Sequence, residues 1–179
     1  MRHIGNITVT AENALSFPAV SEIYGHLTIA AGAALIAPGL TKVRGWVTLQ
    51  TGALLTVAQL GVIEGWLTLH ADSGLWAPRM RTVTQDIVFW SSRTELKVVN
   101  AGAVSVQNGV EVSLPMLEAV KNGVTAQPRS AIHAAALKTI GGSITLREGA
   151  LFEAPELAHI GGYYDGDATA AFIAPKFTS

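Results

Sequence analysis

The chain has 179 residues, a net charge of −1 and no cysteine, and 49% of its residues are hydrophobic against 14% charged. That balance excludes a disordered chain, a disulfide framework or thiolate chemistry, and the basic stripe that nucleic-acid binding requires. With a pI near 6.5 it supplies no electrostatic case for a nucleic-acid mimic either.

From the first residues the chain enters a repeat. The segment Met1-Arg2-His3-Ile4-Gly5 lacks the basic and apolar regions of a signal peptide. The most apolar stretch, 30–40, is shorter than the roughly 20 residues that span a bilayer. The expectation is a soluble, cytoplasmic protein.

Gly25-His26-Leu27-Thr28-Ile29, followed by Leu35-Ile36-Ala37-Pro38, Leu40 and Val43, defines the unit. It returns at even spacing from Gly45 and again from Gly65, and it also fits from Gly5, Gly102, Gly142 and Gly162. The coils run 4–23, 24–43, 44–63, 64–83, 84–100, 101–120, 121–140, 141–160 and 161–179. Of the seven prolines, Pro18, Pro38, Pro78, Pro115, Pro155 and Pro175 share one slot; a fixed φ and a missing donor suit a corner there. Only Pro128 departs. The glycine slot, held by Gln85 and Asn122 in two coils, predicts a turn with φ above zero.

After each glycine the pattern alternates with period two, the mark of a strand. Leu27 and Ile29, Val47 and Leu49, and Leu67 and Leu69 point inward. A second inward set follows: Leu35, Ala37, Leu40 and Val43, matched by Leu55, Val57, Leu60 and Ile63. The run Ala131–Leu137 has helical composition, but Ile132, Leu137 and Ile140 occupy inward slots, so it reads as another coil. One coil cannot bury these side chains alone; stacked neighbours can. The prediction is an all-β, single-domain parallel solenoid of about nine coils. At about 4.8 Å per strand spacing the rod is on the order of 40 Å long.

The phrase L-x-x-I-x-G-x-L-T-L, as in Leu60 to Leu69, resembles the repeat of receptor L domains and of short leucine-rich-repeat-like bacterial proteins. The asparagine signature of a true leucine-rich repeat is absent, and so short a coil has no room for a helix. The resemblance implies a parallel solenoid that binds partners through a lateral face, and it implies no catalytic residues.

Two outward columns flank the inward strand. One reads Asn6, His26, Trp46, Trp66, Asp86, Ala103, Gly123, Ser143, Tyr163. The other reads Thr10, Ala30, Gln50, His70, Trp90, Gln107, Gln127, Arg147, Asp167. Between them runs a ladder of Thr8, Thr28, Thr48 and Thr68, then Val88, Ser105, Thr125 and Thr145. Such a β-branched ladder reads as structural; the tryptophans break the flatness that an ice-binding face needs. Trp46, Trp66, His70 and Trp90, with His26, Gln50 and Asp86, are the candidate partner-binding residues, since exposed aromatic patches serve recognition. The competing expectation is that these rings merely pack over the sheet.

Other chemistry finds little footing. The histidines at 3, 26, 70, 133 and 159 lack metal-ligand spacing, and Glu64, Asp72 and Asp86 form no forced acid pair. Neither a phosphate loop nor a nucleophile elbow occurs. No cofactor is expected. Coil five is shortened around Ser91-Ser92-Arg93-Thr94-Glu95, a place where a broken pattern marks drift or a site. In coil nine, Tyr163-Tyr164-Asp165-Gly166-Asp167 reads as a capping turn rather than a calcium loop. Neither end carries a polar cap, so Phe172, Ile173, Phe177, Tyr163 and Tyr164 are expected to pair with a second copy.

The reading that results is a non-catalytic protein-binding solenoid, an accessory protein of bacterial or phage kind that occludes its target. The alternative is a carbohydrate-binding or carbohydrate-cleaving β-helix.

Overall fold

The computed structural model describes residues 2–10, 15–90 and 96–178. Every regular element in it is a strand, and all the pairings are parallel. The strands stack into a three-faced solenoid of about eight turns. One face carries Lys42–Val43 and its equivalents, the next carries Leu27–Ile29, Val47–Leu49 and Leu67–Leu69, and the third carries Ala34–Ile36, Leu54–Thr56 and Gly74–Trp76.

The repeat sets the register. Leu27 pairs with Val47 and Val47 with Leu67, each with its equivalent in the next coil. Stacking in register puts like beside like, so the inward slots form continuous apolar columns. Leu27, Ile29, Val47, Leu49, Leu67 and Leu69 are fully buried, and so are Leu40, Val43, Val57, Leu60 and Ile63. Each such side chain contributes roughly 1.5–3 kcal/mol on burial. The segment from Ala131 is the strand Ala131–His133, with Ile132 and Leu137 inside.

Two kinds of turn make two of the corners. Where proline recurs, the amide of the residue two positions on closes a four-residue turn: Leu40 donates to Ala37, Met80 to Ala77, Leu117 to Leu114 and Leu157 to Ala154, at 3.0–3.2 Å. Proline occupies the second position of these turns, where its locked φ already matches what the turn requires. At the other corner Ala33 donates to Ala30 and Ala53 to Gln50. The third residue of that turn has positive φ: Gly32 and Gly52 at 70°, Asp72 at 56° and Arg129 at 59°. Pro128 lies in one of these turns.

The glycine that follows the first face has a different reason for being glycine. The sequence pattern predicts φ above zero at Gly25, Gly45 and Gly65; none of them has it. Here successive coils lie backbone against backbone, with Gly45 N–H donating to Gly25 O at 3.0 Å and Gly65 N–H to Gly45 O at 3.2 Å. A Cβ on Gly65 would sit 2.6 Å from Gly45 O and 2.7 Å from Trp46 N. Close approach, not backbone handedness, selects glycine.

The first two faces continue through coil five. Thr82–Phe89 and Asn100–Val106 run through the first corner and pair with each other, with a one-residue register shift between Val83 and Asp86. The first two faces thereby form one sixteen-stranded sheet. Among the described residues the third face forms two four-stranded sheets, one ending at Gly74–Trp76 and the other starting at Glu111–Ser113. Residues 91–95, singled out above as the place where the pattern breaks, lie outside the described residues. Beyond them Leu96 and Val98 rejoin the core. Coil nine also differs from expectation: Tyr164–Gly166 is a strand paired with Ile144–Leu146, not a capping turn. No helix is long and apolar enough to cross a membrane among the described residues.

Candidate functional site

Strand alternation and the repeat register together build the aromatic face. Trp46 and Trp66 precede the buried residues Val47 and Leu67, so their side chains leave the strand on the solvent side. Their carbonyls accept from Leu27 and Val47 at 2.9 and 2.8 Å, which ties each residue to its neighbour coil. The rings then stack as the strands do. His26 lies on Trp46 with centroids 3.5 Å apart and planes 8° apart. Trp46 lies on Trp66 at 5.7 Å and 3°.

The foot of this stack is held by hydrogen bonds. Asn6 Oδ1 accepts from the His26 amide at 2.9 Å, and His26 Nδ1 accepts from the Trp46 amide at 3.2 Å. Nδ1 is therefore the unprotonated nitrogen of this imidazole, with Nε2 carrying the hydrogen.

Across the threonine ladder stands the second column. His70 and Trp90 stack with centroids 6.1 Å apart and planes 10° apart. Thr28, Thr48 and Thr68 pair in direct register between the columns and are half-buried. Gln50, in the same column as His70, is exposed and its Oε1 accepts from the Ala31 amide at 3.2 Å. Asp86 continues the first column, pairing by backbone with Ala103 at the register shift, and is half-buried.

The rings are not covered by what they pack against. Trp46 is 41% exposed, Trp66 47% and Trp90 48%. They pack on one another, as the competing expectation held, yet they remain open to solvent. The result is a stacked, water-facing aromatic array on one sheet face.

Sequence reasoning missed Trp76. It is 56% exposed and lies on the third face in one column with Ile36 and Thr56; Ile36 and Leu54 are exposed there too. The signal was present: alternation within Leu35-Ile36-Ala37 turns Ile36 outward, and the register carries that slot to Trp76.

The residues assigned to the C-terminal end do not all lie together. Phe172 joins Phe152, Tyr164 and Phe177 in one aromatic cluster, with centroid distances of 5.8, 5.0 and 6.1 Å. Tyr163 and Ile173 are outward positions; the Tyr163 amide donates to Ser143 Oγ at 3.2 Å. Nearby, Arg147 pairs with Asp165 at 3.3 Å and with Asp167 at 3.8 Å. Among the described residues no group of three or more His, Asp or Glu side chains is placed to hold a metal ion.

No protein-family model matches this chain, and comparison with curated proteins and with solved structures found no match.

Proposed function

We propose that this chain is a non-catalytic binding protein that docks on another protein through the face carrying His26, Trp46, Trp66, His70 and Trp90. As an accessory protein of bacterial or phage kind, it acts by covering a surface of its target complex. The observation that carries this reading is the ordered stack His26–Trp46–Trp66, open to solvent and fixed at its base by two hydrogen bonds. Rings already held in place lose little freedom on binding. Tryptophan is also the residue type that most often dominates the energy of a protein interface.

The stack favours a protein over a glycan as occupant. A sugar ring binds on an open aromatic face. Both faces of Trp46 are taken, one by His26 and the other by Trp66. What Trp46 offers outward is its indole edge beside a threonine ladder, a surface suited to interdigitating side chains.

Replacing Trp46 and Trp66 together by alanine tests the proposal. Partner binding falls by at least about thirtyfold, the effect of losing an interface anchor worth about 2 kcal/mol, while the far-ultraviolet circular dichroism of the solenoid is unchanged. Loss of the fold in this variant makes the rings structural and refutes the reading.

A further inference from the structure

We infer that the corner of coil five between the third face and the first is a second binding site, and that its ligand is an acidic linear peptide segment carrying an apolar anchor residue. This does not depend on the tryptophan face, which is the second face of the rod.

The site arises from a shortened turn. Backbone hydrogen bonds fix which residues share a slot. The Leu96 amide donates to Ser113 O as the Leu114 amide donates to His133 O, so Leu96 has the slot of Leu114 and of Ala77. The Val99 amide donates to Arg81 O as the Arg81 amide donates to Gly61 O, so Val99 has the slot of Arg81. Ala77 and Arg81 enclose Pro78, Arg79 and Met80; Leu96 and Val99 enclose Lys97 and Val98 alone. Coil five is therefore one residue short at this corner, and the proline corners of the coils before and after it stand on either side. A groove of about 410 Å³ results, walled by Pro78 and Pro115, with Met80 and Val99 at its base and Arg81 and Lys97 at its rim. A further space of about 220 Å³ shares Pro78 and Lys97 with it and runs on to Leu75 and Trp76. Trp76, 56% exposed, has its ring at that end.

Charge selects the occupant. Elsewhere on the rod, cations pair with carboxylates of the neighbouring coil: Arg44 with Glu22 at 3.4 Å, Lys42 with Glu64, and Lys138 with Glu118 at 3.1 Å. At this corner Arg79, Arg81 and Lys97 come from adjacent coils, all three exposed, and none has a carboxylate partner among the described residues. Arg79 donates to Gln59 instead. Glu118, in the slot that holds Arg81 and Val99, is already held by Lys138. A concentration of one sign of charge beside an apolar groove draws in carboxylates and turns away cationic segments. An extended peptide uses both parts of the site: its acidic side chains meet Arg81 and Lys97, and an apolar side chain between them enters the space between the prolines. A nucleic-acid backbone would leave the apolar walls unused.

Fluorescence anisotropy of a short labelled peptide, one phenylalanine between glutamates, tests this with the full chain. Binding is expected to saturate, to weaken as salt rises, and to vanish when glutamines replace the glutamates. Arg81→Gln with Lys97→Gln weakens it by about tenfold or more; both side chains are exposed, so circular dichroism stays that of wild type. Arg81→Lys with Lys97→Arg keeps the charge and keeps binding. Trp46→Ala with Trp66→Ala binds the peptide as wild type. The inference is overturned by a wild type that does not bind the peptide, by a glutamine peptide that binds equally well, or by a neutralised variant that still binds. Displacement by inorganic phosphate or a single-stranded oligonucleotide overturns it as well, since the site is then a general anion site. Loss of binding in the double tryptophan variant places the peptide on the other face and overturns it too.

Discussion

The imidazole of His26 lies flat on the indole of Trp46 while its Nδ1 accepts the Trp46 backbone amide, so one side chain fixes both the ring and the strand beneath it. Two effects of similar size meet there: an aromatic pair contributes about 0.5–1.5 kcal/mol and a hydrogen bond about 1 kcal/mol. Because the site is partly exposed, their sum is discounted.

His26→Ala therefore lowers stability by about 1 kcal/mol in urea unfolding, and His26→Phe recovers the stacking part alone. In the wild type, nitrogen NMR shows Nδ1 as the nitrogen without hydrogen. A protonated Nδ1 in the neutral ring contradicts the assignment.

The glycines predict a sharper contrast. Gly65→Ala drives a methyl group into the Gly45 carbonyl and the Trp46 amide, both backbone and unable to yield cheaply, and costs about 2–3 kcal/mol. Gly61→Ala meets only ordinary contacts, the nearest at 3.9 Å, and stays within about 0.5 kcal/mol of wild type. Thermal unfolding of the two variants side by side decides this. Equal costs would mean that the corners are not in backbone contact.

These two positions also show what could be read from the residues. The inward columns were legible because a strictly even spacing can bury Leu27, Val47 and Leu67 in one way only. The proline corners were legible because few backbone positions tolerate Pro38 and Pro78 alike. The reason for Gly65 was not, since glycine serves equally for positive φ and for close approach, and only the stacked backbones separate the two. The tryptophan columns followed from alternation. Trp76 was overlooked because its column changes character at each coil, from Ile36 to Thr56 to Trp76. The one-residue register shift between Val83 and Asp86 was not legible either: a shortened coil does not say where along it a residue is lost.

Ser73 offers a stabilising substitution. Its side chain is buried, and its Oγ has no hydrogen-bond partner among the described residues. The same slot holds Ala33, Ala53 and Ala150, while Ser130, also in that slot, donates to Gln127 O at 2.6 Å. Ser73→Ala removes an unpaired hydroxyl and raises stability by about 0.5–1 kcal/mol, measured by urea midpoint. A loss of stability would mean that the hydroxyl is satisfied in solution.

The claim that the aromatic face is a docking surface is met most directly by quantitative capture from host extract. Wild type is compared with the Trp46→Ala, Trp66→Ala double variant and with Met116→Ala, an exposed site off this face. The account predicts that one set of proteins is retained by wild type and by Met116→Ala and lost from the double variant, whose unfolding temperature stays within a few degrees of wild type. Equal retention by the double variant, or its unfolding, contradicts the account.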